Sequence, residues 1–218
     1  MQEHVIVCFG DSNTHGYDGA NGGRRFNSGQ RWTRRLQKQL GNDYLVIEEG
    51  LNGRTIALDD PMRDDMAGIS YIVPCLKTHS PVDLLIIMLG TNDTKERFGC
   101  NAENISLSLA RLVRRAQATY DAFQGCQPNI LIITPYPIDP AYEKTAAVGD
   151  MGKGCAQKCL EEHRWFRFVA RQLNCHYLNA ADIPGLALNH VDYIHLTAEG
   201  HAAFADHLAK LIPTLISG

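Results

Sequence analysis

The sequence predicts an α/β fold, a parallel sheet of about five strands with helices on both faces. Short apolar runs alternate with helix-period segments along the whole 218-residue chain. The spacing of the runs suits strand–helix–strand units, in which parallel strands are joined by crossover helices. No internal repeat, low-complexity tract or linker-like shift in composition interrupts the alternation, so residues 1–218 read as a single domain.

The strands, in order, are Val5–Phe9, Tyr44–Ile47, Leu84–Leu89, Ile130–Ile133 and His176–Leu178, most of them rich in β-branched or bulky aliphatic residues. Trp32–Leu40, Met66–Thr78, Ala102–Phe123, Ala156–Leu173 and Ala198–Ile216 carry helical period. Within Ala102–Phe123, Ile105, Leu109, Leu112, Val113 and Ala116 form one apolar face. Asn101 suits the N-cap of that helix and Thr197 the N-cap of the last one. Tyr136–Gly154, with Pro137, Pro140, Gly149, Gly152 and Gly154, is the one long irregular stretch. Loops of that length inside a compact domain are uncommon and often functional.

Composition narrows the function classes. Lys plus Arg is 21 against 24 Asp plus Glu, a net charge of −3 that offers no basic excess for nucleic acid. An apolar share of 44% with 21% charged residues argues against wholesale disorder. The seven cysteines include no C-x-x-C pair, so neither a disulfide framework nor a zinc ribbon is indicated. The start, Met1-Gln2-Glu3-His4, lacks the basic segment, apolar stretch and cleavage site of a signal peptide. The longest apolar run, Leu84–Leu89, is too short to span a bilayer. The expectation is a reduced, cytoplasmic protein with neither a membrane nor a nucleic acid as partner.

In an open parallel sheet, ligands bind beyond the carboxyl ends of the strands. Four polar clusters fall there: Gly10-Asp11-Ser12-Asn13, Asn52-Gly53-Arg54-Thr55, Gly90-Thr91-Asn92-Asp93 and Asp192-Tyr193-Ile194-His195. A serine hydroxyl becomes a useful nucleophile when a base takes its proton and a third group orients the base. Asp192 and His195, three apart, suit base and orienter. Ser12, on a tight strand-to-helix turn, is the serine best placed for attack. Its turn sets backbone N–H groups at a helix N-terminus, where negative charge is favoured. Gly53, with no Cβ, can bring its N–H close to a ligand, and the Asn92 amide can donate beside it.

These blocks, in this order, resemble those of the SGNH, or GDSL, hydrolases. Glu48–Thr55 and Ile86–Lys95 are similar to the bacterial arylesterase and acyltransferase branch, and the likeness runs from the first strand to the last helix. The resemblance implies a three-layer, flavodoxin-like α/β/α hydrolase that needs no cofactor and no metal. It implies Ser12 as nucleophile, His195 and Asp192 as its partners, and an oxyanion hole from Ser12 N–H, Gly53 N–H and Asn92. Asn13 departs from the family's usual leucine, which bears on subfamily rather than reaction. Asp11, Asn13, Tyr17 and Tyr136 are the expected pocket residues. The expected substrate is a small short-chain acyl ester, hydrolysed or passed to an alcohol. A carbohydrate O-deacetylase using the same residues, or an inactive binding module of the same fold, are the alternatives. Relatives often form oligomers, so a homo-oligomer is expected, with the 136–154 loop supplying contacts.

Cys155, Cys159 and His163 fall on one helical face but lack an obvious fourth ligand, so packed thiols are expected. The acidic run Asp59, Asp60, Asp64 and Asp65 reads as a solvated loop rather than a calcium site.

Overall fold

The computed structural model describes residues 3–123 and 127–216. Met1 and Gln2, and Cys126 among the seven cysteines, lie outside the described residues. The strands are β1 (His4–Gly10), β2 (Tyr17–Asp18), β3 (Arg24–Arg25), β4 (Tyr44–Gly50), β5 (Leu84–Met88), β6 (Ile130–Thr134) and β7 (His176–Asn179). The α-helices are α1 (Ser12–His15), α2 (Trp32–Leu40), α3 (Gly68–Thr78), α4 (Ala102–Gln117), α5 (Val148–Met151), α6 (Cys155–Gln172) and α7 (Ala198–Ile216).

Five strands form one parallel sheet in the order β4-β1-β5-β6-β7, while β2 and β3 pair as a short antiparallel ribbon. Side chains alternate across each strand, so β1 sends Val7 and Phe9 to one face and Ile6 and Cys8 to the other. The first face packs on α3, α4 and α6 through Ile72, Leu109, Val113 and Phe166. The second packs on α2 and α7 through Trp32, Leu36, Phe204 and Leu208. This is the three-layer arrangement expected.

Both predicted caps form: Asn101 accepts from Asn104 N at 2.8 Å and Thr197 Oγ1 from Gly200 N at 3.0 Å. Two helices are shorter than their periodicity. α3 starts at Gly68 because Met66 and Ala67 are held in a bridge to Thr55, whose N–H donates to Met66 O at 3.0 Å. α4 stops at Gln117, and Tyr120–Phe123 forms a separate 3-10 turn. There Thr119 Oγ1 turns back onto Arg115 O at 3.0 Å, competing with the helical ladder.

The 136–154 stretch is ordered around a small core of its own. Ile138, Tyr142 and Met151 point inward onto Cys155, Cys159 and Ile194. Tyr142 is fully buried; its hydroxyl donates to Gly152 O at 2.8 Å and accepts from Cys155 N at 3.1 Å. Cys155 and Cys159 thus pack as small apolar groups, while the His163 ring nitrogen turns to Leu160 O at 2.6 Å. Asp60 is buried against Arg97, at 2.7 Å, rather than solvated. Among the described residues no helix is long and apolar enough to cross a membrane.

Candidate active site

The site lies beyond the carboxyl ends of β1, β4 and β5. β1 ends at Gly10, where a Cβ would meet Thr14 Oγ1 at 2.1 Å, so only glycine lets α1 turn back this tightly. Asp11 caps α1, its Oδ1 accepting from Asn13 N at 3.0 Å, and Gly16 closes it in the left-handed region at φ 85°. Ser12 is the first residue of this helix, so its N–H has no acceptor inside the helix.

The opposing loop is built around two short side chains. Asn189 Oδ1 accepts from Val191 N and Asp192 N, at 2.9 and 3.0 Å, and its Nδ2 donates to Asp192 Oδ1 at 2.8 Å. Asp192 Oδ1 also accepts from Ile194 N and His195 N, at 2.9 and 3.0 Å, with Tyr193 between them at a positive φ of 61°. Asp192 Oδ2 meets His195 Nδ1 at 2.8 Å, and His195 Nε2 lies 2.9 Å from Ser12 Oγ. Burial opposes ionisation of Asp192, but the hydrogen bond and charge of His195 and the two loop N–H donors outweigh it, bringing the carboxyl down to about 2. An ionised Asp192 fixes the proton on His195 Nδ1 and leaves Nε2 free to accept from Ser12. The Tyr17 ring lies against the imidazole, centroids 4.4 Å apart. Gly19 makes room for Asp192, since a Cβ there would stand 1.8 Å from Oδ2.

Gly53, at φ 86°, and Asn92 face Ser12 across one cleft of about 470 Å³. Asn92 Nδ2 donates to Arg54 O at 3.2 Å and, at the long distance of 3.5 Å, to Asp11 Oδ2. Tyr17, Asn52, Arg63, Ala146, Ala147, Asp150, Met151, Val191 and Ile194 complete the walls. The structure therefore brings Ser12, His195, Asp192, Gly53, Asn92 and Tyr17 into one cleft.

Residues 8–203 match the GDSL-like lipase/acylhydrolase family. The chain belongs to that family. This GDSL hydrolase is similar to the native aryl esterase of M. smegmatis, at 34% identity and TM-score 0.87, over 97% of this chain and 99% of that one. It is also similar to a carbohydrate acetylesterase from Sinorhizobium meliloti, at 31% identity and TM-score 0.86, over 98% and 100% of the two chains. A carbohydrate acetylesterase family member from the same organism gives 33% identity and TM-score 0.88, over 99% and 100%. No curated protein matches the chain in sequence. Family and neighbours together make it an ester hydrolase.

Three expected pocket residues of this GDSL hydrolase lie elsewhere. Asp11, Asn13 and Tyr136 line a separate crevice beside Phe204 and Leu196, behind the Ser12 turn. Asn13 faces away from the cleft because its Oδ1 accepts from Leu196 N at 3.0 Å and its carbonyl from Trp32 Nε1 at 3.1 Å. It ties the Ser12 turn to the His195 loop, a task the family's usual leucine could not perform. Tyr136 packs against the α2/α7 core. Asp11 is spent on capping and is fully buried, which pushes its carboxyl up to about 6.

Several neighbours of the hydrolase site carried no sequence signal. Gly19 opens the 3-10 turn that links β2 to β3, strands of two residues each, too short to show a period. Asn189 was findable, because an Asn three residues ahead of an Asp in a loop is an Asx-turn signal. Arg63 and Asp150 meet at 3.2 Å across the cleft rim, and Asp150 also pairs with Lys95 and Arg97, both at 3.1 Å. This ion-pair network holds the 59–66 loop against the 146–151 segment. Next to Asn92 in the chain, Asp93 is buried and interacts electrostatically with the buried Asp11 and Glu162. Burial drives the Asp93 carboxyl up to about 8, against the Ile56 N–H shared between its two oxygens and with added repulsion from Asp11. Burial and the charges of Asp93 and Asp11 also hold Glu162 well above the ordinary range.

Proposed function

We propose that the protein is a serine esterase acting on short-chain acyl esters, with Ser12 as nucleophile and His195 as general base. The observation that carries this reading is the hydrogen-bonded chain Ser12–His195–Asp192, at 2.9 and 2.8 Å, opening into a cleft shared with Gly53 and Asn92. Ser12 Oγ attacks the ester carbonyl as its proton passes to His195 Nε2. The carbonyl oxygen takes up the electron pair, and Ser12 N–H, Gly53 N–H and the Asn92 N–H that meets Asp11 only at 3.5 Å donate to it. The intermediate collapses, the C–O bond breaks, and His195 returns the proton to the departing alcohol. Water then repeats the sequence on the acyl-enzyme; an alcohol in its place makes a new ester.

Ala146, Ala147, Met151, Val191 and Ile194 give the cleft an apolar side suited to a short acyl chain or a small ring. Each extra methylene that fits adds about 0.8 kcal/mol, but one that clashes costs more. The opposite side, with Asn52, Arg63 and Asp150, supports a second reading in which the alcohol is a sugar, as the name of one neighbour suggests for that protein.

The test is a series of p-nitrophenyl esters from acetyl to decanoyl beside a set of acetylated sugars. Acetyl to butyryl esters should give the highest kcat/KM, and Ser12→Ala should abolish both turnover and fluorophosphonate labelling. Full activity in Ser12→Ala removes the mechanism. A kcat/KM that climbs steadily past eight carbons removes the short-chain assignment.

A further inference from the structure

Behind the second polar block, on the outer side of the edge strand, a different set of chemistry-bearing side chains converges. Glu49 lies near the end of β4, and Cys75 and His79 sit one helical turn apart at the end of α3. One ligating atom from each, Glu49 Oε1, Cys75 Sγ and His79 Nε2, lies within 4.8 Å of the others. His79 Nε2 is 2.7 Å from Glu49 Oε1, and Tyr71, one turn before Cys75, places its hydroxyl 3.4 Å from the same oxygen. Cys75 is fully buried, whereas the side chains of Glu49 and His79 keep 16% and 23% exposure, which leaves a path for an ion to enter. None of these groups has a part in the ester chemistry.

We infer that Glu49, Cys75 and His79 form a binding site for a single borderline-soft divalent cation of the Zn²⁺ type, with water in a fourth position. Thiolate, imidazole and carboxylate are the three ligand types Zn²⁺ takes, and no hard cation such as Mg²⁺ selects a thiol. Tetrahedral bonds of about 2.0–2.3 Å put neighbouring ligand atoms roughly 3.5 Å apart. The spacing here needs side-chain shifts of only about 1 Å from that arrangement. The Glu49–His79 hydrogen bond opens, and the Cys75 Sγ–H proton passes to solvent as the S–metal bond forms.

Two features of the surroundings bear on affinity. Burial, with the charge of Glu49 added, pushes the Cys75 thiol up to about 12, so the ion must displace a firmly held proton. Arg54 stands beside the site, its guanidinium 4.2 Å from the Phe9 ring centroid and 5.5 Å from that of Tyr71, and it donates to the Glu49 carbonyl. Its one positive charge weakens the hold on a dication, but the thiolate and carboxylate together outweigh it. The bound ion would fasten α3 to β4, the strand that leads into Gly53.

Co²⁺ is the probe, because its thiolate complexes absorb in the near ultraviolet and tetrahedral Co²⁺ colours strongly in the visible. Titrated into the full chain after treatment with a chelator, it should bind at one ion per chain with a thiolate charge-transfer band, and Zn²⁺ should displace it. Cys75→Ser should lose the band. His79→Gln, at a partly exposed position outside the buried core clusters, should weaken binding by at least the tenfold that loss of even an outer partner of a metal ligand costs. Cys155→Ser should bind as the unaltered chain does. Absence of a thiolate band, a band that survives Cys75→Ser, or unchanged affinity in His79→Gln would each overturn the site.

Discussion

Replacing Asp192 with Asn probes the proton chain at a single atom. The new side chain keeps the size and one oxygen of the old, and the structure dictates where that oxygen must go. The Oδ1 position accepts from Asn189 Nδ2, Ile194 N and His195 N, at 2.8, 2.9 and 3.0 Å, and only a carbonyl can serve all of them. The amide nitrogen is left facing His195 Nδ1, 2.8 Å away. An amide NH₂ donates and does not accept, so Nδ1 must give up its proton to Nε2. Nε2 then points a hydrogen at Ser12 Oγ and has no lone pair for the serine proton. In serine proteases a wrong tautomer of this kind costs about 10⁴ in kcat, roughly 5.5 kcal/mol of barrier. The stability cost is far smaller. A carboxyl held at about 2 against an ordinary 3.8 contributes about 2 kcal/mol, present above the ordinary value and lost as pH falls through 2. At neutral pH the variant forgoes that contribution, and Tm should fall by roughly 4–8 °C for a chain of this size. Stopped-assay kcat on p-nitrophenyl acetate, with Tm measured on the same preparation, separates the two effects. A folded Asp192→Asn enzyme keeping more than about a tenth of wild-type kcat refutes the tautomer argument.

Three further outcomes follow from the geometry. Asn92→Ala should lower kcat by about 10²–10³ with KM little changed, because the lost donor acts on charge that exists only in the transition state; a normal kcat removes Asn92 from the site. Gly19→Ala places a methyl 1.8 Å from Asp192 Oδ2, so Asp192 must swing away from His195; kcat should drop well beyond any loss of Tm, and unchanged kinetics would show that the ribbon yields instead. Asp93, whose carboxyl is raised to about 8, holds a proton in the folded chain that the unfolded chain releases above about pH 4. Folding therefore loses stability as pH rises towards and through 8, and Asp93→Asn should flatten Tm between pH 6 and 9; an unchanged slope would assign the pH dependence to other groups.

The sheet was legible because its central strands β1, β5 and β6 are apolar on both faces and bounded by polar turns, a pattern local sequence carries in full. The four polar blocks were legible as neighbours because the carboxyl-end rule converts strand order into proximity. Asp11, Asn13 and Tyr136 were misplaced for one shared reason. They adjoin the right blocks in sequence, but which way each side chain points depends on partners in distant elements, Leu196 and Trp32 for Asn13, the α2/α7 core for Tyr136. The same limit hid Arg63 and Asp150, which become rim residues only when two loops far apart in sequence meet. Helix ends at Gly68 and Gln117 were set by a bridge to Thr55 and by a threonine hydroxyl, neither of which alters the apolar period.

The bonds that join the Ser12 turn to the His195 loop, Ser12 Oγ to His195 Nε2 and Leu196 N to Asn13 Oδ1, each span 183 positions. Their consequence is temporal. During synthesis Ser12 emerges 183 residues before His195. Loop closure over such a distance is entropically costly and is met late, after the sheet and its helices have supplied a surface to close upon. On the proposed mechanism a nascent chain therefore has no activated Ser12 until the His195 loop has closed onto the Ser12 turn. Esterase turnover should accordingly appear in step with the final folding phase, whichever spectroscopic signal reports the earlier ones.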